Sequence, residues 1–205
     1  MQRIKACILN YGSGNVGSVL NMLMLLKVDV IISNEHTDIQ GATHLILPGV
    51  AAFGSAMEKI KKTIPLDIVS REVHQIKKPF LGICVGMQIL ADKGFEFEEY
   101  DGLGWISGEV KKIDAGELIL PHVGWNELIP RSSSNLMQRI EGHSDVYFTH
   151  SYAFHAKDPS HIVAETKYGQ CFPSVIQKDN ICGVQFHPEK SQKIGMAIVK
   201  NFLSM

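Results

Sequence analysis

The decapeptide Pro79-Phe80-Leu81-Gly82-Ile83-Cys84-Val85-Gly86-Met87-Gln88 constrains this chain more than any other segment. An apolar run ends in Gly-x-Cys-x-Gly, and a helix-like stretch follows at once. Small residues two before and two after a reactive side chain suggest a sharp turn from strand into helix, where bulky neighbours would clash. Cys84 would then stand above the end of a sheet, near the positive end of a helix, a place that favours thiolate over thiol. Later in the chain, Gly183-Val184-Gln185-Phe186-His187-Pro188-Glu189-Lys190 supplies a histidine and a carboxylate two positions apart. Cys84, His187 and Glu189 are a nucleophile, a base and a group to orient the base.

The surrounding pattern places that turn in a layered α/β fold. Residues 4–9 read as a strand, 15–26 as a helix and 28–33 as a second strand. A short strand over 44–47 ends in Pro48-Gly49, helices follow around 52–61 and 66–76, then a strand over 80–83 and a helix over 85–91. Continuous apolar strands alternating with helices imply a parallel sheet covered on both faces. Sites in such sheets lie beyond the carboxyl ends of the strands. Asn10-Tyr11-Gly12, Pro48-Gly49 and Cys84 would share that rim. The second half reads instead as short strands over 103–113, 117–120, 125–129, 145–151, 161–167, 174–176 and 181–186, with a closing helix over 191–203. Turn residues such as Ala115-Gly116 and Lys178-Asp179-Asn180 separate them. No repeat, low-complexity tract or linker interrupts the chain, so residues 1–205 are expected to form a single domain.

Composition excludes several classes. A net charge of −1 gives no electrostatic reason to expect nucleic acid or an acidic membrane as partner. No apolar run is long enough to span a bilayer. The stretch after Met1 could pass for a signal peptide, but Asn10-Tyr11-Gly12 interrupts it early. It reads as the first buried strand, and the protein is expected to be cytoplasmic. Cys7, Cys84, Cys171 and Cys182 are scattered with no C-x-x-C pair, which predicts reduced thiols. No metal-ligand spacing occurs, and neither metal nor cofactor is expected.

The segment around Cys84 resembles the nucleophile motif of class I (triad) glutamine amidotransferases, and His187-Pro188-Glu189 resembles the family's His-Pro-Glu motif in the expected chain order. The resemblance implies a flavodoxin-like three-layer sandwich with a mostly parallel central sheet and additional antiparallel strands in the C-terminal half. It also implies that Leu47-Pro48-Gly49-Val50-Ala51-Ala52-Phe53-Gly54 carries an oxyanion loop, with the backbone amides of Val50 and Val85 as donors. The family usually has Gly where Ala51 stands, and a Cβ there restricts backbone rearrangement. Gln88 and Glu96 stand where the family holds the amino-acid end of L-glutamine, Ser151 and Tyr152 where it holds the carboxylate end, and Gly49 belongs to the same substrate-binding set. For Glu96, within Phe95-Glu96-Phe97-Glu98-Glu99, a solvated acidic face is the alternative reading.

Gly12-Ser13-Gly14-Asn15-Val16-Gly17 fits G-x-G-x-x-G, the dinucleotide fingerprint, but Asp29 precedes the second strand instead of ending it. Asn10-Tyr11-Gly12-Ser13-Gly14-Asn15 more closely resembles the first loop of one amidotransferase branch, the glutaminase subunits of imidazole glycerol phosphate synthases. That branch commonly has Asp where Asn10 stands. Pro121-His122-Val123-Gly124-Trp125-Asn126, Phe148-Thr149-His150-Ser151-Tyr152 and the Lys190-Ser191 extension resemble further motifs of the branch. The resemblance covers nearly the whole chain. It implies hydrolysis of glutamine to glutamate and ammonia, and a heterodimer with a (β/α)8-barrel cyclase subunit of histidine biosynthesis. Asn15, Trp125 and Lys190 would face that partner, and little activity is expected before it binds. A paralogue that amidates a nucleotide-activated surface sugar, a non-catalytic regulatory subunit and a nucleotide-binding module are the readings to be separated from it.

Overall fold

The computed structural model describes residues 3–140 and 144–205. Its first half runs β1 (Lys5–Ile8), α1 (Val16–Leu25), β2 (Asp29–Ile32), α2 (His36–Gly41), β3 (His44–Gly49), α3 (Phe53–Thr63), α4 (Leu66–His74), β4 (Phe80–Cys84) and α5 (Val85–Gln88). The second half contains β5 (Lys93–Gly94), β6 (Tyr100–Asp101), β7 (Gly108–Lys112), β8 (His122–Glu127), β9 (Ile129–Pro130), β10 (Asp145–His150), β11 (Tyr152–Ala156), β12 (Ile162–Tyr168), β13 (Gln170–Lys178) and β14 (Ile181–Val184), and α6 (Gln192–Phe202) closes it.

Eight strands form the central sheet in the order β2-β1-β3-β4-β14-β13-β12-β9. The first five are mutually parallel, and the last three are added antiparallel. Every residue of β3, β4 and β14 is buried, so neither face of the sheet's centre meets water. The amphipathic α3 shows how the covering layer is built. It buries Phe53, Ala56, Met57 and Ile60 at helical spacing and carries Lys61 and Lys62 in its last turn, where the helix dipole favours cations. Two smaller sheets, β10-β8 and β11-β7-β5-β6, fill the space over the antiparallel half. This is the layered α/β architecture with a mostly parallel centre that the pattern predicts.

Two pairings position the site. β14 lies beside β4 with Gly183 opposite Gly82, so the strand that leads to His187 runs next to the strand that ends in Cys84. β3 lies on the other side of β4, with Gly49 opposite Cys84. Chain segments far apart in sequence therefore leave the sheet at one rim.

Several elements differ from the expectation. The helix predicted over 85–91 stops after one turn at Gln88. Ile89, Leu90 and Ala91 are fully buried, and their carbonyls accept from Leu103, Trp105, Ile106 and Gly104 amides. Those bonds also consume the start of the strand predicted over 103–113, leaving only β7. Residues 117–120 form no strand. Leu118 closes a turn to Ala115, and Leu118 and Ile119 are exposed. Helix α2 was not legible because it buries only Ile39. β11 was not predicted: the strand expected over 145–151 ends where β11 begins, with Ser151 alone between it and β10.

Candidate active site

Cys84 ends β4 at φ 55°, ψ −113°, a strained conformation for a residue with a side chain. The glycine frame shows why the turn can form. A Cβ on Gly82 would lie 2.2 Å from the Gly86 carbonyl oxygen, and a Cβ on Gly86 would lie 1.8 Å from that of Leu47. The turn thus packs on itself and on β3 at backbone contact. α5 spans only four residues, so the helix dipole invoked for the thiolate is short, and the local groups around the sulfur matter more.

His187 follows β14, and its backbone amide donates to the Tyr147 carbonyl of β10 at 2.9 Å. Pro188–Lys190 forms one 3-10 turn, which folds Glu189 back under the imidazole. Nδ1 of His187 lies 3.0 Å from Oε1 of Glu189. Both side chains are almost fully buried. Burial pulls the imidazole pKa down, but the interactions with Cys84 and Glu189 outweigh it and push His187 up to about 10. An imidazolium held in this way stabilises a neighbouring thiolate. Ser191 completes the turn, with its hydroxyl donating to the His187 carbonyl at 2.6 Å and accepting from the Tyr147 amide at 2.9 Å.

A cavity of about 640 Å³ opens over Cys84 and His187. Val50, Val85, Gln88, Glu96, Ser151, Tyr152, Asn15 and Lys190 line it as well. Gly49 does not line it. It lies beneath the rim, where a Cβ would come 2.5 Å from the Tyr11 hydroxyl. Trp125 is also outside it, half-exposed on β8 and set edge-on to Tyr147. The Lys190 ammonium sits over the same tyrosine ring, 5.4 Å from its centroid.

Three sequence-selected residues occupy more specific places than their motifs suggest. Asn15 donates from Nδ2 to Oε1 of Glu189 at 3.2 Å, so it holds the carboxylate that holds His187. Glu96 accepts from the Phe53 amide at 2.8 Å and thereby caps the first turn of α3, which leaves Oε1 for the cavity. The solvated-face alternative does not describe this carboxylate. Gln88 spends Nε2 on the Tyr152 carbonyl, 2.8 Å, and on Oε1 of Gln185, 3.0 Å. Its carbonyl oxygen is the polar atom that remains.

Sequence reasoning missed Gln185. This residue is fully buried, and its Nε2 lies 3.7 Å from the Cys84 sulfur. A signal was present, because Gln185 stands two positions before His187 in the segment that leaves β14 toward the rim. The Tyr11 hydroxyl was likewise overlooked. It is buried beside Val50 without a hydrogen bond, and burial together with the Cys84 charge raises its pKa. Among the described residues, no group of His, Cys, Asp and Glu is arranged to hold a metal ion. The arrangement can deliver a sulfur nucleophile, shuttle one proton through His187, and bind a small polar substrate between Glu96, Gln88 and the Ser151-Tyr152 segment.

The profile of the family described as glutamine amidotransferase class-I matches residues 7–205. The chain is 41% identical over 198 residues to the imidazole glycerol phosphate synthase subunit HisH of Oceanobacillus iheyensis, covering 97% of this chain and 98% of that one. It is 39% identical to the HisH subunit of Aquifex aeolicus, covering 97% and 96%. Among solved structures, PurLQS from Thermotoga maritima superimposes with a TM-score of 0.77 at 16% identity, over 99% of each chain, and so shares the fold.

Proposed function

Because the chain belongs to the class-I glutamine amidotransferase family, we propose that it is the glutaminase subunit of an imidazole glycerol phosphate synthase, supplying ammonia to a cyclase subunit in histidine biosynthesis. One observation carries the chemistry. Cys84, held at a strained strand end, shares a cavity with His187, whose imidazole is backed at 3.0 Å by the buried Glu189. Near 40% identity across almost the full length of HisH subunits supports the pathway.

The Cys84 thiolate adds to the side-chain amide carbon of glutamine, and the carbonyl electrons move onto oxygen. Backbone amides of Val50 and Val85 are the proposed oxyanion donors, each worth about 3 kcal/mol in such sites. As the tetrahedral species collapses, the C–N bond breaks and imidazolium His187 protonates the leaving nitrogen, releasing ammonia. Neutral His187 then takes a proton from water. The hydroxide attacks the glutamyl thioester, glutamate leaves, and the thiolate and imidazolium are restored. Glu96 and the Gln88 carbonyl suit the α-ammonium of the substrate, and the Ser151-Tyr152 segment its carboxylate.

A (β/α)8-barrel cyclase is the proposed partner in a heterodimer. The half-exposed Val50 at the cavity, with Val123 and Trp125 exposed on β8, offers apolar surface for it. All four cysteines are unpaired, as suits a cytoplasmic enzyme. The test is ammonia release from glutamine by the pure protein, alone and with the cyclase barrel of the same organism, with and without its nucleotide. Stimulation by the barrel that vanishes in Cys84→Ala is the expected result. Glutaminase activity indifferent to the barrel would move the acceptor elsewhere, with amidation of an activated surface sugar as the first candidate.

A further inference from the structure

Two histidines outside the triad are buried in the second half of the molecule and join the catalytic sulfur through an unbroken hydrogen-bonded chain. His150 ends β10, and its Nδ1 lies 2.9 Å from the Tyr152 carbonyl, the same oxygen that accepts from Gln88. His150 Nε2 lies 3.3 Å from His122 Nδ1. His122 Nε2 lies 3.3 Å from Nδ2 of Asn126, which also donates to the Lys167 carbonyl at 3.0 Å. Asn126 Oδ1 in turn accepts from the Glu127 amide.

Only one set of donors satisfies every member. A carbonyl can only accept, so His150 carries its proton on Nδ1 and presents a bare Nε2. His122 must then donate from Nδ1, which leaves its own Nε2 to accept from Asn126. Both rings are neutral in this arrangement, and a second proton on either would face a donor. The same Tyr152 carbonyl also fixes the direction of the branch that runs to the nucleophile. Gln88 gives both amide hydrogens away, so Gln185 must accept at Oε1 and turn its Nε2 toward Cys84. If the Gln185 amide were reversed, its NH2 would face that of Gln88 and its oxygen would face the sulfur.

We propose that Gln185 is a further catalytic residue, an N–H donor to the Cys84 thiolate, and that the neutral pair His150–His122 are positioning residues that hold in place the Tyr152 carbonyl from which Gln88 and Gln185 take their direction. A thiolate gains from a donor that is already oriented, because no reorganisation is needed as the sulfur charge changes. The same chain turns the Gln88 carbonyl toward the cavity, where it meets an ammonium group. This deepens the glutaminase reading and rests on it for the substrate.

The surroundings keep the pair neutral. His122 is stacked between Phe148 and Tyr168, with centroids 4.9 and 4.0 Å away, and Phe172 stands edge-on to His150 at 4.9 Å. Burial holds His122 down at about 4. Burial likewise holds His150 down at about 3, with the neighbouring His122 and His187 acting in the same direction and the Tyr152 carbonyl opposing.

The test begins with the wild-type protein, labelled with 15N in its histidines and titrated by NMR between pH 5 and 9. Both rings are expected to stay neutral with the proton on Nδ1. Titration of either near 6.5, or an Nε2–H tautomer, would overturn the chain. The second measurement is the rate of Cys84 alkylation by iodoacetamide against pH, which needs no glutamine. Gln185→Leu should slow alkylation at pH 7 about tenfold and move its profile to higher pH, by analogy with single donors lost elsewhere. An unchanged profile in folded Gln185→Leu would remove Gln185 from the catalytic set. For His150→Phe, KM for glutamine should rise about tenfold with a smaller change in kcat, and His150→Gln, which can donate to Tyr152 and accept from His122, should restore most of it. If the wild type alkylates as expected but releases no ammonia from glutamine even with the cyclase barrel and its nucleotide present, the substrate reading fails while the chain stands.

Discussion

β3 and β4 lie side by side and end level at one rim, with Gly49 opposite Cys84, yet the chain leaves the two strands in opposite ways. After Cys84 it turns inward, and Val85, Gly86, Met87 and Gln88 are all buried. After Gly49 it turns outward, and Val50 is 48% exposed. The nucleophile is therefore built into the core at the cost of a strained backbone, while the neighbouring loop, proposed to carry an oxyanion donor, starts on the surface at Val50. Elements with few buried contacts open and rearrange most easily. A partner seated on Val50 could reshape the loop without disturbing Cys84. In the proposed complex, that division would let the enzyme keep its nucleophile ready and its turnover low until the acceptor is present.

The contrast is broken most directly at the nucleophile. Cys84→Ala should lower glutamine hydrolysis by at least ~10⁴-fold with the melting temperature nearly unchanged, as loss of a nucleophile does elsewhere. Residual activity within tenfold of wild type, measured as ammonia release, would place the chemistry elsewhere. Glu189→Gln should keep the packing and reduce kcat by about 10³-fold or more, because the imidazole loses the charge that stabilises its cation. Asn15→Ala should lower kcat by a smaller factor, about tenfold, since it holds Glu189 by one hydrogen bond at 3.2 Å.

On the stability side, Gly86→Ala should unfold the elbow or cost about 3 kcal/mol or more, because its Cβ meets backbone at 1.8 Å. Val50→Ala, on the exposed side of the same rim, should stay within about 0.5 kcal/mol by chemical denaturation. Equal losses for the two would erase the distinction between a rigid and an adjustable side.

The buried histidines add a pH signature. Their folded pKa values, about 4 and about 3, lie below the unfolded value of about 6.5, so the unfolded chain binds more protons in between. Stability is fully present above about pH 6.5 and is lost as pH falls through 4 and then 3. At pH 5 the loss is at most about 2 kcal/mol from each. His122→Phe should flatten that slope, seen as a smaller drop in melting temperature between pH 7 and 5.

Much of this was legible in the chain. Strand–helix alternation and the glycine frame of Cys84 are local, and local sterics act wherever the residues occur. Residues 85–91 show the limit. Their apolar pattern is that of a helix, but Ile89, Leu90 and Ala91 give their carbonyls to a loop that no local rule could place there. Gly49 was selected by its motif, but its close packing against the Tyr11 hydroxyl and the Gly86 amide is a contact that no motif could show.

The sequence by itself determined which groups can do chemistry, because Cys84, His187 and Glu189 are marked by residue type and by frames a few residues long. Only the tertiary structure decided what surrounds them. The pairing of β14 with β4 brought Gln185 to the sulfur, and the return of the first loop put Asn15 against Glu189. Stacking of His122 and His150 among aromatic rings set their protonation. Burial, direction of donors and pKa belong to contacts between segments that are distant in the chain, and those contacts exist only once the sheet has formed.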